Sequence, residues 1–309
     1  MDSTRMEQKN KKKRGRKFIL FLLVIILIIT GYTVFQYYQG LQLADTGDKK
    51  ETNYEFNGAT DENGRINILL MGVDSRGEEK SRTDTMMIAQ VDPKTNETKL
   101  VSLMRDIYVE IPGYQNYKLN TAFYLGGPEL LRKTIKQNFG VEIQHYMLVD
   151  FKGFENSVDI LAPDGIKIDV EKAMSENIGV QLEQGTQRLN GKELLGYARF
   201  RADQEGDFGR VERQQKVISA VKEEALSLDS LTKLPKMIGA TQPYIETNMG
   251  KFDQMGLIKD VLLGNSSDIK KLTIPVEGSY TNGYYEHAGS VIEIDFAQNK
   301  EELQNFLNE

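Results

Sequence analysis

The apolar positions of this 309-residue chain change their period several times. From Phe18 to Phe35 they are almost continuous, broken only by Thr30, Gly31, Tyr32 and Thr33 and free of charge. A run of about 18 residues suffices to cross a hydrocarbon layer as a helix. From Gly40 to Arg65 no period is sustained and Asp, Glu, Asn, Gly and Thr dominate, which predicts a polar stalk over residues 36–65. Ile66 to Val73 is a short apolar run of the kind an interior strand needs, with Asp74 at its end. Thr85 to Val91 and Thr98 to Met104 read as two further strands joined by a turn at Asp92-Pro93-Lys94-Thr95-Asn96-Glu97, a hairpin.

Beyond the hairpin the pattern alternates between helix and strand. Pro128 suits the first turn of a helix reaching about Phe139, because a proline there sacrifices no helical hydrogen bond. Tyr146 to Phe151 and Gly165 to Val170 read as strands, and Phe154 to Leu161 as a short helix. Asn190-Gly191 opens a helix ending near Tyr197, Glu212 to Leu228 gives the longest helix, and Lys271 to Val276 a late strand. Helices interleaved with strands, one hairpin among them and no internal repeat predict a single α/β domain with a mixed sheet over residues 66–309.

That topology brings candidate chemistry together. If the strand ending at Asp74 pairs antiparallel with the one beginning near Asp84, both carboxylates lie at one sheet edge, and the hairpin returns Arg105 to the same edge. Taken singly, the two acids are ordinary turn or capping residues and Arg105 an ordinary surface cation; taken jointly they suggest a site. Arg199 and Arg201 flank Phe200, so in an extended backbone both guanidinium groups leave one face and can grip a polyanion. After Gly209, Arg210, Gln214, Val217, Val221, Ala225 and Leu228 fall on one helical stripe. Polar side chains at the head of a core-facing stripe need a charged partner or a ligand, and Asp207 or Glu212 would serve Arg210 as a purely structural one. The amides and dipole of a helix starting there favour an anion, whereas Arg213 points off the stripe and is expected to be solvated or bridging. Lys118 is a further candidate phosphate contact, though most lysines simply face solvent.

Charge and composition narrow the field. The first 17 residues hold eight basic residues against two acidic ones, a net of +6; the whole chain is −6, so the remainder carries −12. An acidic body excludes general nucleic-acid binding, which depends on a broad basic field. Basic residues ahead of the apolar run predict that the tail of residues 1–17 stays in the cytoplasm and that everything after the span at 18–35 lies outside the cell membrane. A cleaved signal peptide or a buried core helix would give a similar run, but Phe35-Gln36-Tyr37-Tyr38-Gln39 offers interfacial aromatics instead of a small-residue cleavage site. With no cysteine and only His145 and His287, thiolate and histidine-rich metal sites are excluded, and any metal would be a hard ion held by carboxylates. No Ser-His-Asp arrangement, glycine-rich phosphate loop or His/Glu metal motif is present.

Together, Ile68 to Asp74, Arg82-Thr83-Asp84-Thr85, Met104-Arg105-Asp106, Lys118-Leu119-Asn120 and Tyr197 to Arg201 through Gly206-Asp207-Phe208-Gly209-Arg210 to Arg213-Gln214 resemble the LytR-CpsA-Psr family in order and spacing. The resemblance covers about residues 66 to 220, and the basic tail and anchor match the family layout. It implies an extracellular α/β/α sandwich with a central mixed sheet, acting as a glycopolymer ligase that moves a polyprenyl-pyrophosphate-linked anionic glycopolymer, such as wall teichoic acid, to peptidoglycan with release of polyprenyl phosphate. It implies that Asp74 and Asp84 hold Mg2+ or Mn2+, and that Arg105, Lys118, Arg199, Arg201, Arg210 and Gln214 contact the pyrophosphate. Arg105, Asp84 and Arg210 are then the catalytic group, with Asp84 the candidate base. Stripes from Phe139 to Phe154 and from Val217 to Leu263 are candidates for lining a groove for the lipid. The competing readings are a membrane-anchored regulator acting indirectly and a non-catalytic lipid-pyrophosphate carrier.

Overall fold

The computed structural model describes residues 2–43, 54–61, 63–74, 83–95, 97–251, 253–254, 256–257, 261 and 269–309, and side chains at 2–18 and 228–231 are left aside. Arg82 and the far end of the Val217 to Leu263 stripe therefore lie outside the described residues. Helix α1 (Asp2–Leu43) includes the apolar segment Ile19–Leu43, long and apolar enough to span a membrane. Strand β1 (Ile66–Val73) follows, then β2 (Thr83–Val91), β3 (Thr98–Leu103), the two-residue strands β4 (Tyr108–Val109) and β5 (Tyr117–Lys118), and α2 (Leu119–Phe139). Next come β6 (His145–Asp150), α3 (Phe151–Leu161), the hairpin β7 (Ile166–Val170) and β8 (Gly185–Leu189), α4 (Gly191–Arg199), α5 (Gly206–Ala225) and α6 (Leu228–Thr241). The chain closes with β9 (Ile245–Thr247), β10 (Lys270–Ile274), the hairpin β11 (Tyr280–Tyr285) and β12 (Gly289–Ile294), and α7 (Phe296–Asn308).

One six-stranded mixed sheet organises these elements in the order β10-β3-β2-β1-β6-β9. The β1–β2 and β2–β3 pairs are antiparallel, as the hairpin pattern predicts, while β1–β6 and β3–β10 are parallel. Strand alternation then sorts side chains between two layers. Leu69, Met71, Val73, Met86, Ile88, Val101 and Leu103 face a core closed by Leu131, Ile135 and Phe139 of α2 and Leu303 and Leu307 of α7. Burying each such side chain contributes roughly 1.5–3 kcal/mol. Helices α3, α4 and α5 and the β7–β8 hairpin form a second core around Leu161, Leu194 and Tyr197. Gln215 of α5 hydrogen-bonds Ser102 Oγ of β3 at 2.9 Å and Thr273 Oγ1 of β10 at 3.1 Å, which docks this layer on the other sheet face. The fold is thus an α/β/α arrangement around a mixed sheet.

Several boundaries differ from the sequence pattern for identifiable reasons. The helix read from Pro128 is the second half of α2, broken at Gly126 and Gly127. Gly127 has φ +64° and ψ −158°, and a Cβ there would lie 2.8 Å from the Tyr54 ring, so only glycine fits. Residues 54–61 and 63–65, polar enough to read as stalk, lie on the domain: Phe56 packs against Tyr146, Ala59 N donates to Ile143 O, and Arg65 Nη2 donates to Asn308 O at 3.2 Å. Two aromatic anchors and backbone pairing outweigh the polar composition. Helix α5 begins at Gly206, six residues before Glu212, because Asp203 accepts from the Gly206 amide at 3.0 Å and fixes the first turn. The last turns of α1 pack on α6 through two glycines; a Cβ on Gly239 would lie 2.1 Å from Tyr37 O.

Candidate active site at the mouth of an apolar cavity

Between the sheet and the α4–α5 layer lies a cavity of about 360 Å³. Its walls are the sheet face that alternation turns away from the α2 core, Leu70, Gly72, Thr85, Met87, Met147 and Val149, together with Phe151, Phe154, Leu195, Val217 and Ile218 from the helices. Gly72 keeps this floor open, since a Cβ there would approach Thr85 Cβ to 3.2 Å and the Phe151 ring to 3.4 Å. The two stripes offered as candidates for lining a lipid groove divide between the two sides of the sheet. Phe154 and Val217 line the cavity, whereas Phe139 is fully buried on the opposite side of the sheet, where its position in α2 directs it.

Polar side chains also line it, Glu176 and Asn177 among them. Asp84, Arg105, Arg199, Arg201, Arg210 and Gln214 all line the cavity. Arg105, two residues past β3, pairs through Nη1 with Asp84 Oδ1 and through Nε with Asp207 Oδ2 at 3.3 Å and Asp106 Oδ2 at 3.5 Å. Burial alone would lower its pKa, but Asp84, Asp207 and Asp106 outweigh it and raise it. Arg199 ends α4, from which the chain becomes extended at Phe200. Its guanidinium lies 3.7 Å from Asp74 and 5.0 Å from the centre of the Phe151 ring. Gln214 Nε2 donates to Thr85 Oγ1 at 3.0 Å.

Arg210 differs from the others. It is 5% exposed, touches Asp207 at 3.4 Å through Nη2, and its buried Nε finds no acceptor among the described residues. Burial lowers its pKa, with Arg105 and Arg201 acting in the same direction and Asp207 and Asp84 against it. Arginine begins so far above neutrality that it stays charged. An unpaired, buried donor on a permanent cation is costly unless an anion supplies the acceptor.

Two of the eight expected residues stand outside the cavity lining. Asp74 engages Arg199, and Lys118 Nζ pairs with Asp106 Oδ1 at 3.1 Å, one residue from Arg105. Two carboxylates outside the expected set also meet these arginines: Asp106 lies 3.5 Å from Arg105 Nε, and Asp207, which the sequence offered only as a structural partner of Arg210, contacts both Arg105 and Arg210. The expectation that Arg213 is solvated or bridging resolves to bridging, and solvation is wrong. It is 2% exposed, its Nε donates to Glu171 Oε1 at 2.7 Å, its Nη1 to Phe200 O at 3.0 Å, and its Nη2 pairs with Asp203 and, at 3.2 Å, Glu205. Arg213 thereby fixes the loop that carries Arg199 and Arg201. The proposed anion site at a helix start after Gly209 is also corrected: α5 starts at Gly206, with Asp203 and Asp207 occupying that end.

Asp74 and Asp84 are hard oxygen donors with side chains 31% and 45% exposed at the mouth. Among the described residues no group of three or more His, Cys, Asp or Glu converges as a metal cage. Two carboxylates, each already paired with an arginine, do not make an all-protein metal site; a hard divalent ion held by them would take the rest of its shell from other oxygen donors.

Comparison with known proteins bears on the family and the fold. A model of the LytR_cpsA_psr family matches residues 31–304. The chain is 45% identical over 281 residues to the regulatory protein MsrR of Staphylococcus aureus (strain COL), covering 90% of this chain and 85% of that protein. It is 31% identical over 288 residues to the polyisoprenyl-teichoic acid–peptidoglycan teichoic acid transferase TagU of Bacillus subtilis (strain 168), covering 91% of this chain and 93% of that one. A solved structure of TagT bound to LIIa-WTA superposes with a TM-score of 0.63 at 25% identity, over 86% of this chain and 96% of TagT. With the family pattern spanning nearly the whole chain and both layers of the fold in place, this protein belongs to the LytR_cpsA_psr family.

Proposed function

We propose that this protein is a transferase that moves a glycopolymer from a polyprenyl-pyrophosphate carrier to peptidoglycan, releasing polyprenyl phosphate. The observation that carries this reading is the junction of an apolar cavity with a cluster of arginines, one of them buried with an unpaired Nε. An amphiphile with a long hydrocarbon and a multiply charged head matches both halves. The name of TagU, a teichoic acid transferase, and the TagT complex with LIIa-WTA support a substrate of this class.

In this reading the prenyl chain enters between Leu70, Met87, Met147 and Phe154, and the pyrophosphate meets Arg105, Arg199, Arg201 and Arg210, with Gln214 beside them and Lys118 further out. Attack by an acceptor sugar hydroxyl on the phosphorus bearing the glycopolymer forms a new P–O bond. The bond to the bridging oxygen breaks, and its electrons leave with polyprenyl phosphate. The demand is for charge stabilisation on the phosphates, which bidentate and permanently charged arginines meet. Carboxylates hold Arg105 and Arg199 in place before the ligand arrives, so little reorganisation is required. Asp84, at the mouth, accepts the hydroxyl proton. Magnesium held by Asp74 and Asp84, when bound, would neutralise further phosphate charge. The basic residues ahead of the apolar helix support an orientation in which the domain lies outside the cell membrane, facing both lipid carrier and wall.

The regulatory name of the 45% identical relative favours a second reading, a membrane-anchored regulator. An outward-facing domain reaches no DNA, so such regulation would be an indirect response to an altered envelope; a reporter fused after Glu309 and found in the cytoplasm would remove the transferase reading. The direct test is mass spectrometry of lipid co-purified with the full-length chain from its host membrane. Polyprenyl phosphates or glycosylated pyrophosphates are expected. Ordinary phospholipid alone, in wild type and in Arg210→Gln equally, contradicts the proposal.

A further inference from the structure

The cavity lining includes a carboxylate and an amide that no step of the proposed reaction uses. Glu176 and Asn177, in the loop joining β7 to β8, line the cavity together with Arg199 and Arg201. That loop is fastened to the segment carrying the two arginines. Glu171 accepts from Arg213 Nε at 2.7 Å and from Tyr197 Oη at 2.8 Å, and Lys172 Nζ lies 3.1 Å from Asp203 Oδ2. Further along, a Cβ on Gly196 would lie 2.5 Å from Val180 Cγ2, so the loop packs on α4 three residues before Arg199. Met174 and Leu182 exchange backbone hydrogen bonds at 2.9 and 2.8 Å, and both are buried in the second core with Ile178. The loop thus has a fixed shape, and Glu176 and Asn177 are its exposed residues at the cavity.

Two features separate this pair from an ordinary turn. Asn177 holds φ at +60°, the one positive value at a non-glycine among the described residues. The same loop has a second left-handed position, φ +72° at Gly179, and that glycine does not line the cavity. Glycine is the less strained choice at both places, so asparagine at the cavity wall keeps an amide there at some cost. Glu176, in turn, stands in a cavity whose proposed ligand is hydrocarbon at one end and pyrophosphate further along. A carboxylate repels phosphate, and against hydrocarbon it loses its hydration without compensation. Its two acceptor oxygens suit an uncharged group rich in O–H donors. In the proposed substrate that group is the sugar bonded to the outer phosphate.

We infer that Glu176 and Asn177 form the subsite for the sugar joined directly to the pyrophosphate, an uncharged pyranose whose hydroxyls donate to Glu176 while the Asn177 amide pairs with its other polar substituents. Arg199 and Arg201 grip the phosphates, and the loop fastened beside them reads the group beyond. The pair therefore sets specificity: Glu176 admits a neutral sugar and repels one that carries a carboxylate or phosphate at that place. This subsite deepens the transferase reading and rests on it.

The test is titration calorimetry of the full-length chain in detergent with two probes, farnesyl pyrophosphate and the same lipid carrying N-acetylglucosamine on its outer phosphate. That sugar is an uncharged pyranose with both adjacent hydroxyls and an acetamido group. Wild-type protein should prefer the sugar-bearing probe. Glu176→Ala should weaken that probe about tenfold while leaving farnesyl pyrophosphate unchanged or bound more tightly, because hydrogen bonds are lost with the one and repulsion is relieved with the other. Asn177→Gly, which suits the left-handed backbone, should keep or raise the melting temperature and still reduce the preference for the sugar. Equal change in both affinities, in either direction, overturns the proposal, since it puts the effect of Glu176 on the arginines or on the fold. So does a preference for the sugar that Glu176→Ala leaves intact. Wild-type protein that binds the two probes equally removes the sugar subsite and leaves the transferase reading standing; binding of neither removes both.

Discussion

Arg210 and Arg213 are neighbours on α5 and both are buried, yet only one is satisfied. Arg213 meets three carboxylates and a carbonyl, whereas Arg210 has one carboxylate and a stranded Nε. Their substitutions should therefore act on different properties. Arg213→Met leaves Asp203 buried beside an apolar side chain and should cost about 3–5 kcal/mol of stability. Arg210→Gln removes a poorly compensated charge, so its melting temperature should match or exceed that of the wild type while affinity for a lipid pyrophosphate falls tenfold or more, about 1.4 kcal/mol. Thermal melts of the two variants check this, and equal destabilisation would refute the division. Arg213 could not be placed from pattern alone. Its partner Glu171 is 42 residues distant, and helical phase gives direction without saying what lies there.

At the scale of elements, the clamp between residues 54–61 and α2 contributes to acid stability through Glu129. Glu129 accepts from the Asn57 amide at 2.9 Å and from Arg132, and pairs with Lys133 at 3.3 Å. Burial would raise its pKa, but the Arg132 and Asn57 hydrogen bonds outweigh it and hold it at about 2, against 4.5 for the free group. A carboxylate with a depressed pKa stabilises the fold fully above its unfolded value and loses that contribution as pH falls through the folded one. The Glu129 contribution, about 2–3 kcal/mol, should thus disappear between about pH 4.5 and pH 2, and Glu129→Gln should flatten that part of the stability curve. Denaturant melts across this range measure it. The polar sequence around residue 60 concealed the clamp, because Tyr54 and Phe56 are isolated aromatics in a segment without period. The start of α5 was hidden for a related reason: Gly206 and Gly209 are poor helix formers, and the hydrogen bond from the Gly206 amide to Asp203 leaves no periodic trace.

Across the whole molecule, the sheet separates two functions. One face closes the α2–α7 core, and the other is left partly uncovered as the cavity. Leu70→Trp should fill that space, overpack it by about 1–3 kcal/mol, and abolish binding of long prenyl pyrophosphates while leaving inorganic pyrophosphate affinity unchanged. Equal loss for both ligands would contradict a division between lipid cavity and arginine mouth. Much of this arrangement was legible in the chain. The hairpin alone brought Asp84 and Arg105 together, whereas Arg199 and Arg201 reach one cavity without the extended backbone that the Arg-Phe-Arg spacing assumed, since Arg199 is the last residue of α4. What remained hidden depended on tertiary pairing, as with Phe139, which strand and helix phase could assign to a core but not to a side of the sheet.

The central claim is that the arginine cluster transfers a phosphate-linked polymer, and a transfer assay tests it most directly. Full-length protein would be mixed with a polyprenyl-pyrophosphate-linked glycopolymer and peptidoglycan oligomers in the presence of magnesium, and the coupled product measured. Wild-type protein should form product, chelation of magnesium should suppress it, and Arg199→Ala combined with Arg201→Ala should eliminate it. Undiminished transfer by the double variant, or no transfer by the wild type, would contradict the account.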